Sequence, residues 1–143
     1  MKTFFDSCVQ KASNLIESAH SAEKSTNITI IVGLSGGPDS VFLLHVLNHL
    51  QKQNPKIKII ATHLDHQWRT ESWRDIEFCS ELCKKLNIEF IARKAEELNL
   101  DIKFNGSKEE IGRKMRRALF KQILKEKNAD FIALAHQIGR AHV

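Results

Sequence analysis

A short glycine-rich segment has the residue types of a phosphate-binding loop. It reads Ser-Gly-Gly-Pro-Asp-Ser over residues 35–40, between an apolar run typical of a strand and a pattern typical of a helix. Gly36 and Gly37 permit positive φ and let the backbone approach a ligand, and Pro38 suits the first position of a helix. The free N–H groups and the dipole of that helix start would face an anion. The segment therefore predicts a phosphate-binding loop, with an ordinary tight turn as the alternative.

The spacing within this segment separates it from two other phosphate-binding motifs. The chain contains neither the Walker A pattern Gly-x-x-x-x-Gly-Lys-Ser/Thr nor the dinucleotide pattern Gly-x-Gly-x-x-Gly. The string Ser-Gly-Gly-x-Asp-Ser after a strand resembles the PP-loop of the ATP pyrophosphatases, which cleave ATP to AMP and pyrophosphate while adenylating a substrate. This resemblance implies an ATP site in an adenine nucleotide alpha hydrolase-like fold.

A second polar segment follows the next predicted strand, and its side chains permit two interpretations. One is a zinc site. The other is favoured, because a carboxylate at a strand end beside a triphosphate can hold Mg²⁺ or accept a hydrogen bond from a ribose or base. The neighbouring Trp68 either stacks on a base or is simply half-buried. The charged and imidazole side chains of this segment are His63, Asp65, His66 and Arg69.

The helix predicted over residues 108–127 has an apolar stripe and a basic face. At about 100° per residue, the stripe runs from Ile111 to Ile123 through Met115 and Leu119. The neighbouring stretch holds five cations and no acid, which favours phosphate contact over a merely solvated charged face. These cations are Arg113, Lys114, Arg116, Arg117 and Lys121.

Helical and strand-like patterns alternate along the chain, which predicts an α/β fold with a doubly wound, mostly parallel sheet. Ligands are expected at the carboxyl ends of its strands. The last strand is expected beside the first, with its outer edge bare. The predicted helices cover residues 2–20, 39–52, 71–86 and 108–127, and the predicted strands cover 28–34, 57–63, 88–92 and 130–135.

The composition fits one cytoplasmic domain with an anionic partner. The chain has 143 residues, 42% of them hydrophobic, and a formal net charge of +5. It lacks the run of about 18 apolar residues typical of a membrane span, and its start is too charged for a signal peptide. Cys8, Cys79 and Cys83 form no paired metal motif, so reduced packing cysteines are favoured over a metal site.

The order of the motifs extends the resemblance to the tRNA(Ile)-lysidine synthetase family. The match covers roughly residues 28–136. The sequence departs from the family's pattern at Trp68, Gly112 and Arg117, where the family usually has Leu, Ala and Tyr. After the loop, the matching motifs are Asp65-His66-x-x-Arg69 with Glu71-Ser72, then Glu109-x-x-Gly112-Arg113-x-x-Arg116, and then Ala135-His136.

This resemblance implies a ligase that uses ATP and Mg²⁺ to modify isoleucine tRNA. The enzyme would adenylate the 2-oxo group of the cytidine at the first position of the CAU anticodon. The ε-amine of free L-lysine would then displace AMP to form lysidine. By the same resemblance, Asp39 would be the essential acid near Mg²⁺, Asp65 would lie at the nucleotide, and Arg113 would stabilise developing charge. Arg69, Arg116 and Arg117 are candidates for tRNA or phosphate contact. The loop residues that would hold ATP are Ser35, Gly36, Gly37, Pro38, Asp39 and Ser40.

The carboxyl-terminal residues do not fit this pattern. The family continues from Ala-His into x-x-Asp-Asp-x-x-Glu-Thr, whereas Gln137 is followed by Ile-Gly-Arg-Ala-His-Val. We therefore expect residues 1–137 to be a truncated catalytic domain and residues 138–143 to be a non-native tail. Two other functions stay open: another PP-loop enzyme such as a tRNA thiolase, and a nucleotide-binding fragment that is catalytically incomplete.

Overall fold

The structure is a computed structural model that describes residues 3–19, 27–68, 72–98 and 106–135. Arg69, Glu71, His136 and the expected tail at 138–143 lie outside the described residues. None of the helices in the described ranges has the length and apolar character needed to cross a membrane. The elements are α1 (Phe4–Ala19), β1 (Ile28–Gly33), α2 (Pro38–Gln53), β2 (Ile57–Asp65), α3 (Ser72–Leu86), β3 (Glu89–Lys94), a 3₁₀-helix (Ala95–Leu98), α4 (Lys108–Glu126) and β4 (Phe131–Ala133).

The strands form one parallel sheet in the order β3-β2-β1-β4. Ile30 of β1 pairs with Ile59 of β2 on one side and with Phe131 of β4 on the other. The chain moves outward from β1 to β3 and then crosses back to β4, so the strand order reverses between β1 and β4. This order confirms the doubly wound prediction, including the place of the last strand beside the first.

Alternate residues of β1 are buried against different helices on the two faces of the sheet. Ile30 and Val32 belong to a core that includes residues of α1, α2 and α3, whereas Ile31 belongs to a second core with residues of α4. These three side chains are at most 1% exposed. Burial on both faces explains why the sequence of β1 is a nearly continuous apolar run.

All four strands differ in length from the prediction, β1 and β3 by one residue and the other two by more. β2 continues to Asp65 rather than ending at His63, since β3 runs on to Lys94 and pairs with Asp65. β4 covers only Phe131–Ala133 rather than 130–135, and these are the residues that pair with β1. The longer β2 matters for the site, because the backbone of Asp65 is held by the sheet.

Polar contacts fix α4 to the edge of the sheet. Arg93 of β3 donates to Glu126 Oε1 at 2.9 Å and to Gln122 Oε1 at 3.1 Å. The amide nitrogen of Gln122 donates in turn to the carbonyl oxygen of Leu98, in the 3₁₀-helix, at 3.0 Å. These contacts hold the rotation of α4 about its axis and so determine which of its cations reach the carboxyl edge of the sheet.

Candidate functional site

The segment over residues 35–40 is a tight turn between β1 and α2, and Pro38 begins α2 as predicted. Gly36 has a φ of +91°, which L side chains rarely adopt. Gly37 has φ −76° and ψ 162°, which is ordinary extended backbone. Of the two glycines, both of which permit positive φ, only Gly36 therefore uses it. The reason is that Gly37 is the N-cap of α2, a position that takes extended backbone.

Two serine hydroxyls brace this turn from inside. The N–H of Gly37 donates to Ser35 Oγ at 3.3 Å, and Ser40 Oγ donates to the carbonyl oxygen of Gly37 at 3.0 Å. Ser40 has then used its one proton, so Ser35 is the donor in the 3.1 Å contact between the two hydroxyls. Ser40 Oγ also accepts from the N–H of Ser35 at 3.1 Å. Ser40 is buried, with only 4% of the residue exposed. Ser40 thus shapes the loop, whereas Ser35 is exposed.

The base of the loop is tied to β2 and α3. The N–H of Leu34 donates to the carbonyl oxygen of Thr62, and the carbonyl oxygen of Leu34 accepts from His63 Nδ1, both at 2.8 Å. Cys79 Sγ of α3 lies 3.9 Å from the same carbonyl. Burial raises the pKa of the Cys79 thiol to about 12, so it stays protonated. His63, a candidate zinc ligand in the sequence, thus holds the start of the loop.

A cavity of about 1280 Å³ opens at the carboxyl edge of the sheet. The loop lines one side, the end of β2 a second and α4 a third, while Leu134 and Ala135 after β4 also contribute. Gly36 belongs to the loop without lining the cavity. The strand ends therefore gather residues from distant parts of the sequence, as the doubly wound rule predicts. The predicted site residues that line the cavity are Ser35, Gly37, Pro38, Asp39, Ser40, Asp65, Arg113, Arg116 and Arg117.

One face of α4 gives the cavity a basic wall. The predicted apolar stripe is buried from Met115 to Ile123, while Ile111 at its start is only partly buried. Burial of this stripe turns the adjacent helix face toward the cavity. Lys114, on a different face, does not line it. The residues of the basic wall are Arg113, Arg116, Arg117 and Lys121.

Two predicted carboxylates line the cavity from different elements. Asp39 is exposed in the first turn of α2, whereas Asp65 is 6% exposed and its Oδ1 accepts from the N–H of Gln67 at 2.9 Å. Carboxylate oxygens of this kind suit Mg²⁺, which completes its shell with water and phosphate oxygens. Across the described part of the chain, no group of three His, Cys, Asp or Glu side chains could hold a metal. Asp39 and Asp65 are thus separate oxygen donors on the wall of one cavity.

Two residues at which the sequence departs from the resembled pattern, Trp68 and Gly112, face each other. A Cβ atom on Gly112 would lie 3.4 Å from Trp68 Cη2 and 3.4 Å from His66 Nε2. The His66 and Trp68 ring centroids are 4.4 Å apart. Burial lowers the pKa of His66, and the nearby Arg116 guanidinium lowers it further. The large Trp68 after β2 is thus matched by the small Gly112 in α4, a relationship that no local spacing predicts.

Helix α3 also contributes to the cavity, which was not predicted from the sequence. Ser72 and Asp75, in its first turn, line the cavity. Phe78 is 50% exposed, and its Cδ1 would lie 3.9 Å from a Cβ atom on Gly36. The order of the elements could have predicted these residues. A helix that starts soon after a strand has its first turn at the carboxyl edge of the sheet.

The loop, the two carboxylates and the basic wall line one cavity of a doubly wound α/β fold. The family described as the PP-loop domain matches residues 7–139, which is nearly the whole chain. The chain therefore belongs to the PP-loop domain family.

The chain is also similar to bacterial proteins that carry a specific name, tRNA(Ile)-lysidine synthase. The protein from Clostridioides difficile is 41% identical over 111 residues, which is 77% of this chain and 24% of that protein. The protein from Bacillus cereus is 33% identical over 133 residues, which is 92% of this chain and 27% of that protein. The chain thus spans about a quarter of the length of these curated relatives.

Two solved structures share the fold at low sequence identity. The U34-tRNA thiolase NcsA from Methanococcus maripaludis matches with a TM-score of 0.74 and 24% identity, covering 94% of this chain and 46% of that one. The NH3-dependent NAD synthetase from Campylobacter jejuni matches with a TM-score of 0.66 and 19% identity, covering 93% and 57% respectively. At these identities the likeness shows the fold alone.

Proposed function

We propose that this chain supplies the ATP-binding part of a tRNA(Ile)-lysidine synthase. The reaction joins L-lysine to C2 of the cytidine at the first position of the CAU anticodon in isoleucine tRNA, and it consumes ATP to AMP and pyrophosphate. The names of the similar proteins support this assignment. The tRNA substrate in those names favours the cytoplasm as the site of the reaction.

The observation that carries the proposal is the convergence of three features on one cavity. The loop with its helix N-terminus, the carboxylates Asp39 and Asp65, and the basic wall all line it. Adenyl transfer needs these parts, because an in-line displacement at phosphorus depends chiefly on positioning and on stabilisation of charge. The cavity volume, about 1280 Å³, exceeds the roughly 300–1,000 Å³ of ordinary small-molecule sites, which suits ATP together with a second substrate.

In the proposed first step, the cytidine O2 attacks the α-phosphorus of ATP and pyrophosphate leaves. The loop backbone and the N-terminus of α2 bind the departing phosphates, and Arg113 donates to the oxygens on which charge develops. Mg²⁺, held by Asp39 with Asp65 as a further oxygen donor, would neutralise phosphate charge when bound. In this proposal the exposed Ser35 hydroxyl exchanges its hydrogen bond to Ser40 for one to phosphate, while Ser40 acts by holding the shape of the loop.

In the proposed second step, the neutral ε-amine of lysine attacks C2 of the adenylated cytidine. The C2–O bond to AMP breaks, and the amine loses a proton as the new C–N bond forms. The basic wall stabilises the departing AMP through its guanidinium and ammonium donors. The same cations that assist the first step therefore serve the second.

The thiolase alternative requires a reactive sulfur in the site. Burial raises the pKa of Cys79 to about 12 and that of Cys83 to about 11. Both thiols are buried in α3, and neither lines the cavity. These properties are typical of packing cysteines, so lysine ligation is the better-supported function.

Product analysis with radiolabelled ATP tests the proposed function. We expect the full-length enzyme that contains this chain to convert ATP to AMP and pyrophosphate over many turnovers only when isoleucine tRNA and lysine are both present, because without lysine the reaction stops after one adenylation. Omission of lysine, or its replacement by a sulfur donor, serves as the control. Release of ADP as the main product would overturn the proposal.

A further inference from the structure

Trp68 presents an aromatic surface to the cavity that the adenylation chemistry does not use. The residue is 42% exposed and lines the cavity beyond the end of β2. Large apolar side chains at this exposure are few among the described residues of the chain. The indole can contact an apolar ring of a ligand, and the cations of the cavity can contact negative charge on the same ligand.

The ring is held in place from two directions. His66 lies against it, with the ring centroids 4.4 Å apart and the planes inclined by 30°. The Cη2 edge of the ring faces α4 at Gly112, where an added Cβ atom would lie 3.4 Å away. Burial and the Arg116 guanidinium lower the pKa of His66, so this imidazole is uncharged at neutral pH. The indole is thus ordered before a ligand arrives, which reduces the entropy that binding costs.

Cations surround this ordered ring. Lys108 Nζ lies over the Trp68 ring, 5.3 Å from its centroid, so a stacking base would displace this flexible side chain. Arg116 lies beside His66 and lines the same cavity. Single-stranded nucleic acids are bound by this combination, in which aromatic rings stack on bases and a basic groove follows the phosphates. The side chains around Trp68 therefore suit a nucleotide chain.

We propose that Trp68 stacks on a nucleobase of the single-stranded tRNA loop that enters the cavity, and that it does not contact the adenine of ATP. This inference rests on the proposed function, since it takes tRNA as the substrate. The phosphate-binding loop is contacted by His63 and by Cys79 of α3, whereas Trp68 is packed on α4. Two nucleotide-binding features on different sides of one cavity serve two different nucleotide substrates.

Tryptophan fluorescence tests the contact directly. The chain has two tryptophans, and the other one, Trp73, is exposed on α3 and does not line the cavity. Trp73→Phe therefore leaves Trp68 as the only tryptophan. A short single-stranded RNA that contains the CAU triplet should quench its emission to saturation, while ATP alone should not. Quenching by ATP alone, or no quenching by the RNA, would overturn the proposal.

Affinity measurements with the same RNA separate stacking from simple packing. Trp68→Leu should weaken RNA binding by roughly tenfold, the scale of one base–aromatic stack, and Trp68→Phe should retain most of the affinity. Trp73→Leu is the matched control and should bind like the unaltered protein. ATP affinity should be the same in all of these variants. Equal losses in Trp68→Leu and Trp68→Phe, or a parallel loss of ATP affinity, would mean that the ring only packs against α4.

The stacking contact of Trp68 and the proposed function can fail separately, and the two tests distinguish these failures. If the full-length enzyme joins lysine to tRNA but Trp68→Leu binds RNA normally, the stacking contact alone is wrong. If the RNA quenches Trp68 but ATP is not converted to AMP in the presence of tRNA and lysine, lysine ligation alone is wrong.

Discussion

His63 Nδ1 donates a 2.8 Å hydrogen bond to the carbonyl oxygen of Leu34. His63 belongs to β2 and is 6% exposed, and Leu34 is the residue between β1 and the phosphate-binding loop. The bond therefore joins two neighbouring strands at the point where the loop begins. Since the carbonyl can only accept, Nδ1 carries the proton, and the imidazole has a structural role in positioning the loop.

We expect His63→Leu to lower the free energy of unfolding by about 1–3 kcal/mol, because it leaves the Leu34 carbonyl without its imidazole donor. His63→Asn should recover part of this loss, since the side-chain amide can donate from a similar position. Urea unfolding measures the effect, with His45→Leu at an exposed position of α2 as the control. An unchanged unfolding midpoint in His63→Leu would show that the bond does not stabilise the loop.

Gly37→Ala should weaken ATP binding without unfolding the protein. The backbone at Gly37 is extended, and an added Cβ would make an ordinary 3.5 Å contact with Ser35 Oγ. The methyl group would, however, separate a phosphate from the N–H groups at the start of α2, for which we expect about a tenfold loss of affinity, or ~1.4 kcal/mol. Titration calorimetry with ATP and a thermal melt measure the two effects separately.

Gly36→Ala is the matched variant, because its φ of +91° makes a side chain costly by about 1–2 kcal/mol. This variant should lose thermal stability as well as affinity. If Gly37→Ala binds ATP as well as the unaltered protein does, a close approach of phosphate to that residue is excluded.

Local features of the site could be predicted from the sequence, and contacts between distant residues could not. The glycines and proline of residues 35–40 and the periodic cations of α4 are local patterns, so the loop and the basic helix were predictable. Which cations reach the cavity depends on the rotation of α4, which Arg93 and Glu126 help to fix across the sheet. The packing of Trp68 on Gly112 likewise exists only in the folded chain.

Arg113→Ala should slow adenyl transfer by about 10² or more, the typical cost of losing one donor that stabilises developing charge. Lys114→Ala is the control, because Lys114 is next to Arg113 in sequence but does not line the cavity. Single-turnover measurement of pyrophosphate release in the full-length enzyme gives the rate. An unchanged rate in Arg113→Ala would mean that Arg116, rather than Arg113, stabilises the developing charge. Equal losses in Arg113→Ala and Lys114→Ala would indicate a general effect of charge.

Cys79 and Cys83 should resist alkylation in the folded protein, while Cys8, which is partly exposed, should react. With a pKa of about 12, only on the order of one Cys79 in ten thousand is a thiolate at about pH 8. Mass spectrometry after brief iodoacetamide treatment measures the reaction, and the urea-unfolded protein, in which all three cysteines should react, is the control. Rapid modification of Cys79 in the native state would mean that it is a reactive thiol and would strengthen the thiolase alternative.

Transfer of labelled lysine to tRNA tests the central claim most directly. The full-length enzyme containing this chain, with ATP and isoleucine tRNA, should attach lysine to the cytidine at the first position of the CAU anticodon. A transcript with uridine there should stay unlabelled, and Asp39→Asn should reduce labelling by orders of magnitude while leaving thermal stability unchanged, because Asp39 is exposed. Absence of lysine from the correct tRNA, or equal labelling of the uridine transcript, would contradict the assignment of this site to lysidine formation.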